Sequence, residues 1–386
     1  MKHLFHDFLG NRQSRAIGAA FFSLGFLFGS WATFIPFVKE QFALNDANLG
    51  LILLSLPMGA VTMNLMGAFL VSRLGMKTTV IGGMIGMALA FSIPLNVSHL
   101  WMVPLGLYFC GAGISICNIA MNIGVTSIEA HQKINIMSTC HGMFSVGLMV
   151  GSLMASLVRG LELNPGFYMA LVALFIFSLA LFIRKTIFRI HEEPNEQEVQ
   201  STRFFLPQGA FLIMIVIGIC GNIVEGTMVD WTSVYMRDVV NTNPYFIGWG
   251  LSGYSLFMAL GRLFGDTLIP RFGANKILSF GGFLAMLGLA VAVVFPFTYS
   301  AIVGFSLVGM GVSCTAPILY ASAARVPGKS KGTGLAIMNT FAMLGFMAGP
   351  VLIGLVAEAT SLQISLTLVL CLAAIWGLLS AKVKLF

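Results

Sequence analysis

Charge is what this sequence has least of. Lys, Arg, Asp and Glu make up 9% of its 386 residues, where a soluble domain carries about 25%. That shortage excludes an ordinary soluble enzyme, whose surface those charges would have to clothe. Disorder is excluded as well, because 58% of the chain is apolar and mean hydropathy is +0.92. No Gly-rich phosphate loop ending in Lys is present, so ATP is not the implied energy source. No cluster of metal ligands, no cofactor motif and no catalytic constellation can be read, so neither an enzyme nor a cofactor is expected. The net charge of +7 is scattered among apolar runs, with no patch for nucleic acid. The six cysteines (Cys110, Cys117, Cys140, Cys220, Cys314 and Cys371) fall in or beside apolar segments. A disulfide framework would place them in exposed loops, so free thiols are expected. A multi-span membrane protein in contact with lipid is what remains.

A membrane-crossing helix needs about 20 mostly apolar residues. Twelve stretches qualify, at roughly 16–38, 48–71, 78–95, 99–126, 135–158, 166–188, 208–236, 246–269, 277–296, 299–324, 334–357 and 364–381. The first is too long for a signal-peptide core and lacks a small-residue cleavage site, so it reads as a retained span. The connections are short, which makes neighbouring helices antiparallel. One long polar segment, from Arg184 to about Gln208, lies at the midpoint. The expected organisation is a six-helix bundle over 1–190, a cytoplasmic linker over 191–207 and a second bundle over 208–386. The fold class is therefore all-α integral membrane, with twelve transmembrane helices in two pseudo-symmetric six-helix bundles.

Basic residues in short loops set the orientation. With the N-terminus inside, seventeen of the 21 Lys and Arg face the cytoplasm. Lys39, Arg159 and Arg237 face out, and Arg262 lies within a span. Both termini are therefore expected on the cytoplasmic side.

The two halves match at a constant offset of 198 residues, the separation of Arg73 from Arg271. Gly50, Gly67 and Gly75 align with Gly248, Gly265 and Gly273; Gly111 and Gly113 with Gly309 and Gly311; Gly147 and Gly151 with Gly345 and Gly349. Ser115 aligns with Ser313, and Lys39-Glu40 with Arg237-Asp238. Glycine is common here, so any one pair is weak. One offset holding without a gap over five regions implies duplicated bundles.

At full length the chain resembles a major facilitator superfamily transporter. That family's signature after the second span is written Gly-x-x-x-Asp-Arg-x-Gly-Arg-Arg/Lys. Here the stretch from Gly67 runs through Ser72-Arg73-Leu74-Gly75-Met76-Lys77. Arg73, Gly75 and Lys77 fit, Ser72 stands where the acid would be, and the first Gly is shifted by one. The second copy, from Gly265-Asp266 to Pro270-Arg271-Phe272-Gly273, also lacks the acid at its usual place. The seventh span, with Glu225-Gly226, Asp230-Trp231, Tyr235 and Arg237-Asp238, is similar to a fucose-permease-like and uncharacterised bacterial branch, as are Gly261-Arg262 and Gly349-Pro350. The resemblance implies a monomeric secondary transporter working by alternating access, with a site between its halves lined by the first, fourth, seventh and tenth spans. It also implies that Arg73, Lys77 and Arg271 help latch the cytoplasmic side.

Ionisable residues within spans cost about 2.5–3.5 kcal/mol on insertion scales, so each needs a reason. Glu225 lies near the middle of the seventh span. It reads as a proton carrier or substrate acceptor, or as a structural acid satisfied by neighbouring helices. Asp230 is five residues on and about 140° around the helix, so the two cannot share one narrow face. Proton coupling and an outer hydrogen bond both suit it. Arg262 and Asp266, four apart, can pair as a cytoplasmic gate or as a permanent intrahelical ion pair.

Ser115, Asn118 and Asn122 form one polar stripe on the fourth span. In the tenth, Ser313 and Tyr320 match its outer members. The stripe reads as cavity lining or as interhelical hydrogen bonding. His141, on the fifth span, and Asn339, its repeat mate, are further candidates. Trp31 and Trp231 are candidates to stack on a sugar-like solute, or to pack.

Three functions remain open from the sequence. The first is a proton-driven transporter of a small polar, sugar-like solute. The second is proton-driven efflux of lipophilic or cationic compounds. The third, of another class, is a channel or non-transporting sensor.

Overall fold

The computed structural model describes residues 8–191, 206–327, 331–383 and 385, with the side chains of 68, 266 and 331 outside the description. Most of the expected linker, 191–207, therefore lies outside the described residues. Those described form helices and connecting turns, with no strand among them.

Fourteen helices are labelled here in chain order. They are α1 (Arg12–Gln41), α2 (Asp46–Leu53), α3 (Ser55–Leu74), α4 (Met76–Ser92), α5 (Met102–Gln132), α6 (Met137–Gly160) and α7 (Pro165–Ile187). The second half holds α8 (Gly209–Asp238), α9 (Trp249–Phe272), α10 (Ala274–Val294), α11 (Thr298–Val312), α12 (Thr315–Ala323), α13 (Lys331–Ala359) and α14 (Leu362–Lys382). Two spans are each made of two helices. The second is α2 and α3, divided at Leu54, and the tenth is α11 and α12, divided at Ser313-Cys314. Ten spans are long and apolar enough to cross a membrane on composition alone. The remaining two are α4, which is 17 residues long, and α9, which carries Arg262, Asp266 and Arg271. The layout is the twelve-helix, two-bundle arrangement expected from the sequence.

Local chemistry sets the helix ends. Asn11 caps α1 by accepting the N–H groups of Gln13 at 2.8 Å and Ser14 at 3.3 Å. Asn164 caps α7, whose first residue is Pro165, where a missing N–H costs nothing. Gly75 ends α3 at φ 80° and Gly273 ends α9 at φ 87°. These repeat mates sit in a backbone region that L-residues avoid.

The faces are inverted relative to a soluble protein. On α7, Met169, Val172, Ile176 and Ala180 are buried while Phe167, Leu171, Leu174 and Phe182 are exposed, Phe182 by 83%. Large apolar side chains turned outward suit lipid, and backbone groups satisfied within helices suit a medium without water.

Contacts divide the chain into two units. Residues 1–44 and 52–195 form one, and residues 45–51 and 196–386 the other. In the first, α1 packs on α6 along glycines. A Cβ on Gly25 would strike the Phe144 carbonyl, and one on Gly147 would strike the Phe22 carbonyl. Likewise Gly111 of α5 lies against the Leu56 carbonyl of α3. In the second unit Gly309 of α11 lies against the Tyr254 carbonyl of α9. Leu56 and Tyr254 are separated by the same offset as Gly111 and Gly309, so the repeat extends to individual backbone contacts. Small residues permit such close approach where lipid supplies no hydrophobic driving force.

The first turns of α2 group with the second unit, whereas the sequence divides the chain only at its polar midpoint. The Asp46 N–H donates to Glu358 Oε2 at 3.1 Å, and a Cβ on Gly50 would lie 2.5 Å from the Pro350 carbonyl oxygen. The α2–α3 division at Leu54 falls close to this boundary.

Candidate functional site

Helix α8 carries the central acid. Glu225 lies mid-helix and is half-buried, one turn after Asn222. Asn222 donates its Nδ2 to the Gly218 carbonyl at 2.6 Å, leaving its Oδ1 as an acceptor. Both residues line a small chamber within the second unit, closed by Thr315, Ala316 and Tyr320 of α12 and by Met338 and Ala342 of α13. It has room for roughly one water molecule.

Electrostatics tie this chamber to α9. The charge of Arg262 reaches Glu225, and both charges reach the buried Tyr254. Tyr254 is fully enclosed, and its hydroxyl has no hydrogen-bond partner among the described residues. Glu225 also acts on Tyr320. The sequence assigned Arg262 to a pair with Asp266. The Asp266 side chain lies outside the described residues; among those described, the charge of Arg262 acts on Glu225 and Tyr254.

Tyr320 and Asn339, chosen from the sequence for separate reasons, come together: the Tyr320 hydroxyl donates to Asn339 Oδ1 at 3.1 Å. The bond joins α12 to α13 beside the chamber. Asn118 and Asn122 instead satisfy each other along α5, where Asn122 Nδ2 donates to the Asn118 carbonyl at 2.9 Å and to its Oδ1 at 3.1 Å. Ser115 is nearly enclosed, and Asn118 and Asn122 are half-buried. His141 is half-buried, with its ring edge-on to Phe21 at 5.1 Å.

Trp31 and Trp231 are sealed, at 1% and 0% exposure, with indole N–H groups that find no partner among the described residues. Neither presents an open face for stacking in this conformation. Asp230 is half-buried on α8 and does not line the chamber. Arg73 is exposed over the Phe69 ring at 4.9 Å, and Arg271 is exposed over Phe272 at 5.5 Å. Lys77 is half-buried in the first turn of α4.

Asn222, Thr315, Tyr254 and Glu129 escaped the sequence reading. Asn222 stands three residues before Glu225, a same-face spacing that was available as a signal. Tyr254 is joined to the acid only by tertiary packing. Glu129, near the end of α5, accepts the N–H groups of Ile136 at 2.6 Å and Met137 at 2.8 Å and so caps α6. All six cysteines are free thiols, as expected.

Twelve spans in duplicated halves, ten of them long and apolar enough to cross a membrane, with an acid, an arginine and amides inside one half, define an integral membrane protein of the transporter class. The Major Facilitator Superfamily model matches residues 16–321 and 210–384. An uncharacterised MFS-type transporter of Yersinia pestis is 32% identical over 361 residues, covering 92% of each chain. The membrane protein MosC of Rhizobium meliloti is 24% identical over 364 residues, covering 93% of this chain and 87% of that one. Among solved structures, the nucleoside transporter NupG aligns with TM-score 0.75 at 13% identity, over 97% of this chain and 100% of that one. FucP, another transporter of the superfamily, aligns with TM-score 0.62 at 16% identity, over 96% and 99%. The chain belongs to the Major Facilitator Superfamily. Members of that family are transporters and not enzymes, and the channel or sensor alternative finds no support among these relatives.

Proposed function

We propose that the protein is a secondary active transporter that moves a small polar, sugar-like solute across the bacterial inner membrane by alternating access, coupled to protons. Glu225 carries the proton in this reading, with Asp230 as a second acidic group on the same helix. The observation that carries it is the position of Glu225: mid-span, beside Asn222, Thr315 and Tyr320 in the lining of a small, mainly apolar chamber, and within reach of the charge of Arg262. A carboxyl within reach of an arginine's charge can be protonated or ionised, and exchange between the two states links protonation to conformation.

The solute is drawn to the amides and hydroxyls of Ser115, Asn118, Asn122, Tyr320 and Asn339. His141, Trp31 and Trp231 contribute only if packing around them opens during the cycle. Arg73, Lys77 and Arg271 act at the cytoplasmic side, together with Arg262 and Asp266. The protein works as a monomer with both termini cytoplasmic. Fold relatives support a polar solute and proton coupling, since they include a fucose:proton symporter of E. coli and a D-xylose-proton symporter.

A thermal-shift screen of the purified protein against sugars, nucleosides, organic acids and amines finds the solute. Glu225→Gln should then abolish uphill uptake in proteoliposomes while sparing exchange. Unchanged proton-driven accumulation in that variant overturns the assignment.

A further inference from the structure

Helices α10 and α14 meet at a backbone crossing. A Cβ on Gly282 would lie 2.5 Å from the Gly377 nitrogen and 3.0 Å from the Ala373 carbonyl oxygen. Towards the start of α10 the seam is held by side chains instead. Ser279 Oγ donates to the Gly377 carbonyl at 2.8 Å, and Asn275 Nδ2 donates to the carbonyls of Ser380, at 3.1 Å, and Val383. Beside these bonds lies a cleft of about 340 Å³, lined by Asn275, Lys276, Ser279, Phe280, Phe283 and Ala381. Its lining is sorted by depth. Lys276 stands in the first turn of α10, and Phe283 lies two turns further on. Two turns span about 10 Å of helix axis, more than one headgroup layer of a bilayer, which is roughly 5–8 Å deep. Phe280 is 64% exposed and Phe283 38%. Lys276 is exposed, with no ion pair among the described residues.

We infer that this cleft binds an anionic phospholipid, with Lys276 on the headgroup phosphate and Phe280 and Phe283 against the upper acyl chain. A lysine ammonium is a compact point charge that takes phosphate oxygens. Exposed rings one and two turns deeper suit hydrocarbon. Charge complementarity selects the anionic class. α10 and α14 carry Lys276 and Lys382 and no Asp or Glu, and Arg271 is exposed just before α10. Basic side chains at a membrane surface attract anionic lipid. The first half of the chain supplies a contrast. The repeat mates of Asn275, Ser279 and Phe280 are Lys77, Ile81 and Gly82. Ile81 cannot make the Ser279 bond and Gly82 offers no ring, so the first unit does not repeat the chemistry of the cleft. Lipid binding here is independent of the role given to Glu225.

The test is native mass spectrometry of the purified full chain, titrated with phosphatidylglycerol and with phosphatidylcholine of the same acyl chains. Wild type should retain one phosphatidylglycerol in preference to phosphatidylcholine. Lys276→Gln should weaken that binding about tenfold or more, the worth of a hydrogen bond to a charged group. Ala381→Phe, which fills the cleft and leaves every charge in place, should weaken it comparably. Phe280→Ala, at an exposed ring, gives the same readout if the crowded variant does not fold. Lys185→Gln, at an exposed lysine in the last turn of α7, should leave the binding unchanged. Equal losses from Lys276→Gln and Lys185→Gln would reveal attraction to diffuse basic charge and overturn the site. Equal retention of the two lipids overturns the anionic headgroup. Displacement of the lipid by millimolar glycerol 3-phosphate, a headgroup without chains, would reveal a phosphate site and overturn a lipid occupant.

Discussion

Tyr320 donates its hydroxyl to Asn339 Oδ1 at 3.1 Å, tying the short helix α12 to α13 beside the Glu225 chamber. Hydrogen bonds between membrane helices average about 0.6 kcal/mol in double-mutant cycles. Tyr320→Phe and Asn339→Ala should each lower stability in detergent, and the double variant should lose less than their sum by about that amount. Simple additivity would mean that the bond does not form in the folded protein. The pair also shows how tertiary structure joins what sequence separates. Tyr320 stood out as part of a stripe, Asn339 only as the repeat mate of His141, and nothing in their spacing announced a contact.

Gly75 and Gly273 make a second pair of repeat mates with matched geometry, at φ 80° and 87°. Gly75→Ala and Gly273→Ala should each cost about 1 kcal/mol, because alanine pays for a positive φ that glycine adopts freely. Gly82 lies within α4 with nothing inside 4 Å of an added Cβ. Gly82→Ala should be neutral or stabilising, since alanine is the better helix former. Thermal unfolding of the three variants checks the order. Equal losses at all three positions would refute the backbone explanation.

A third prediction concerns helix approach. Gly111 lies against the Leu56 carbonyl and Gly309 against the Tyr254 carbonyl, equivalent contacts in the two units. A methyl at either place meets backbone, which cannot swing aside. Gly111→Ala and Gly309→Ala should each destabilise by about 1–3 kcal/mol, the usual cost of overpacking. A denaturant titration that finds either substitution silent would show that the helices there are less closely packed than described.

The architecture was readable because membrane physics writes it in bulk properties. Lengths of apolar runs gave twelve spans whose ends match the observed helices within about four residues, except that α5 runs on to Gln132, past its expected end at 126. The glycine offset gave the duplication, and it reappears as shared contacts. The breaks at Leu54 and at Ser313-Cys314 were invisible, because apolar composition continues across both. Candidate residues stood out one by one: Glu225 and Arg262 were conspicuous as charges in an apolar run. Their relationship was not, since the four-residue spacing to Asp266 offered Arg262 a local partner and only packing brings α9 towards α8. Thr315, Asn222 and Tyr254 are ordinary residues for a span and acquire meaning from what lies opposite them.

Glu129 provides the last prediction. Its Oε1 accepts the N–H groups of Ile136 and Met137 at 2.6 and 2.8 Å. These are donors that the start of α6 cannot satisfy within its own helix. A carboxylate at a helix N-terminus also meets the positive end of the helix dipole. Glu129→Ala should therefore destabilise by about 0.5–2 kcal/mol, the range for a lost N-cap. Its effect should be concentrated in faster hydrogen exchange at Ile136, Met137 and the turn that follows. Glu129→Gln keeps an acceptor oxygen but not the charge, so it should fall between wild type and Glu129→Ala. Uniformly faster exchange across the bundle, or none near Ile136, would show that Glu129 does not act as a cap.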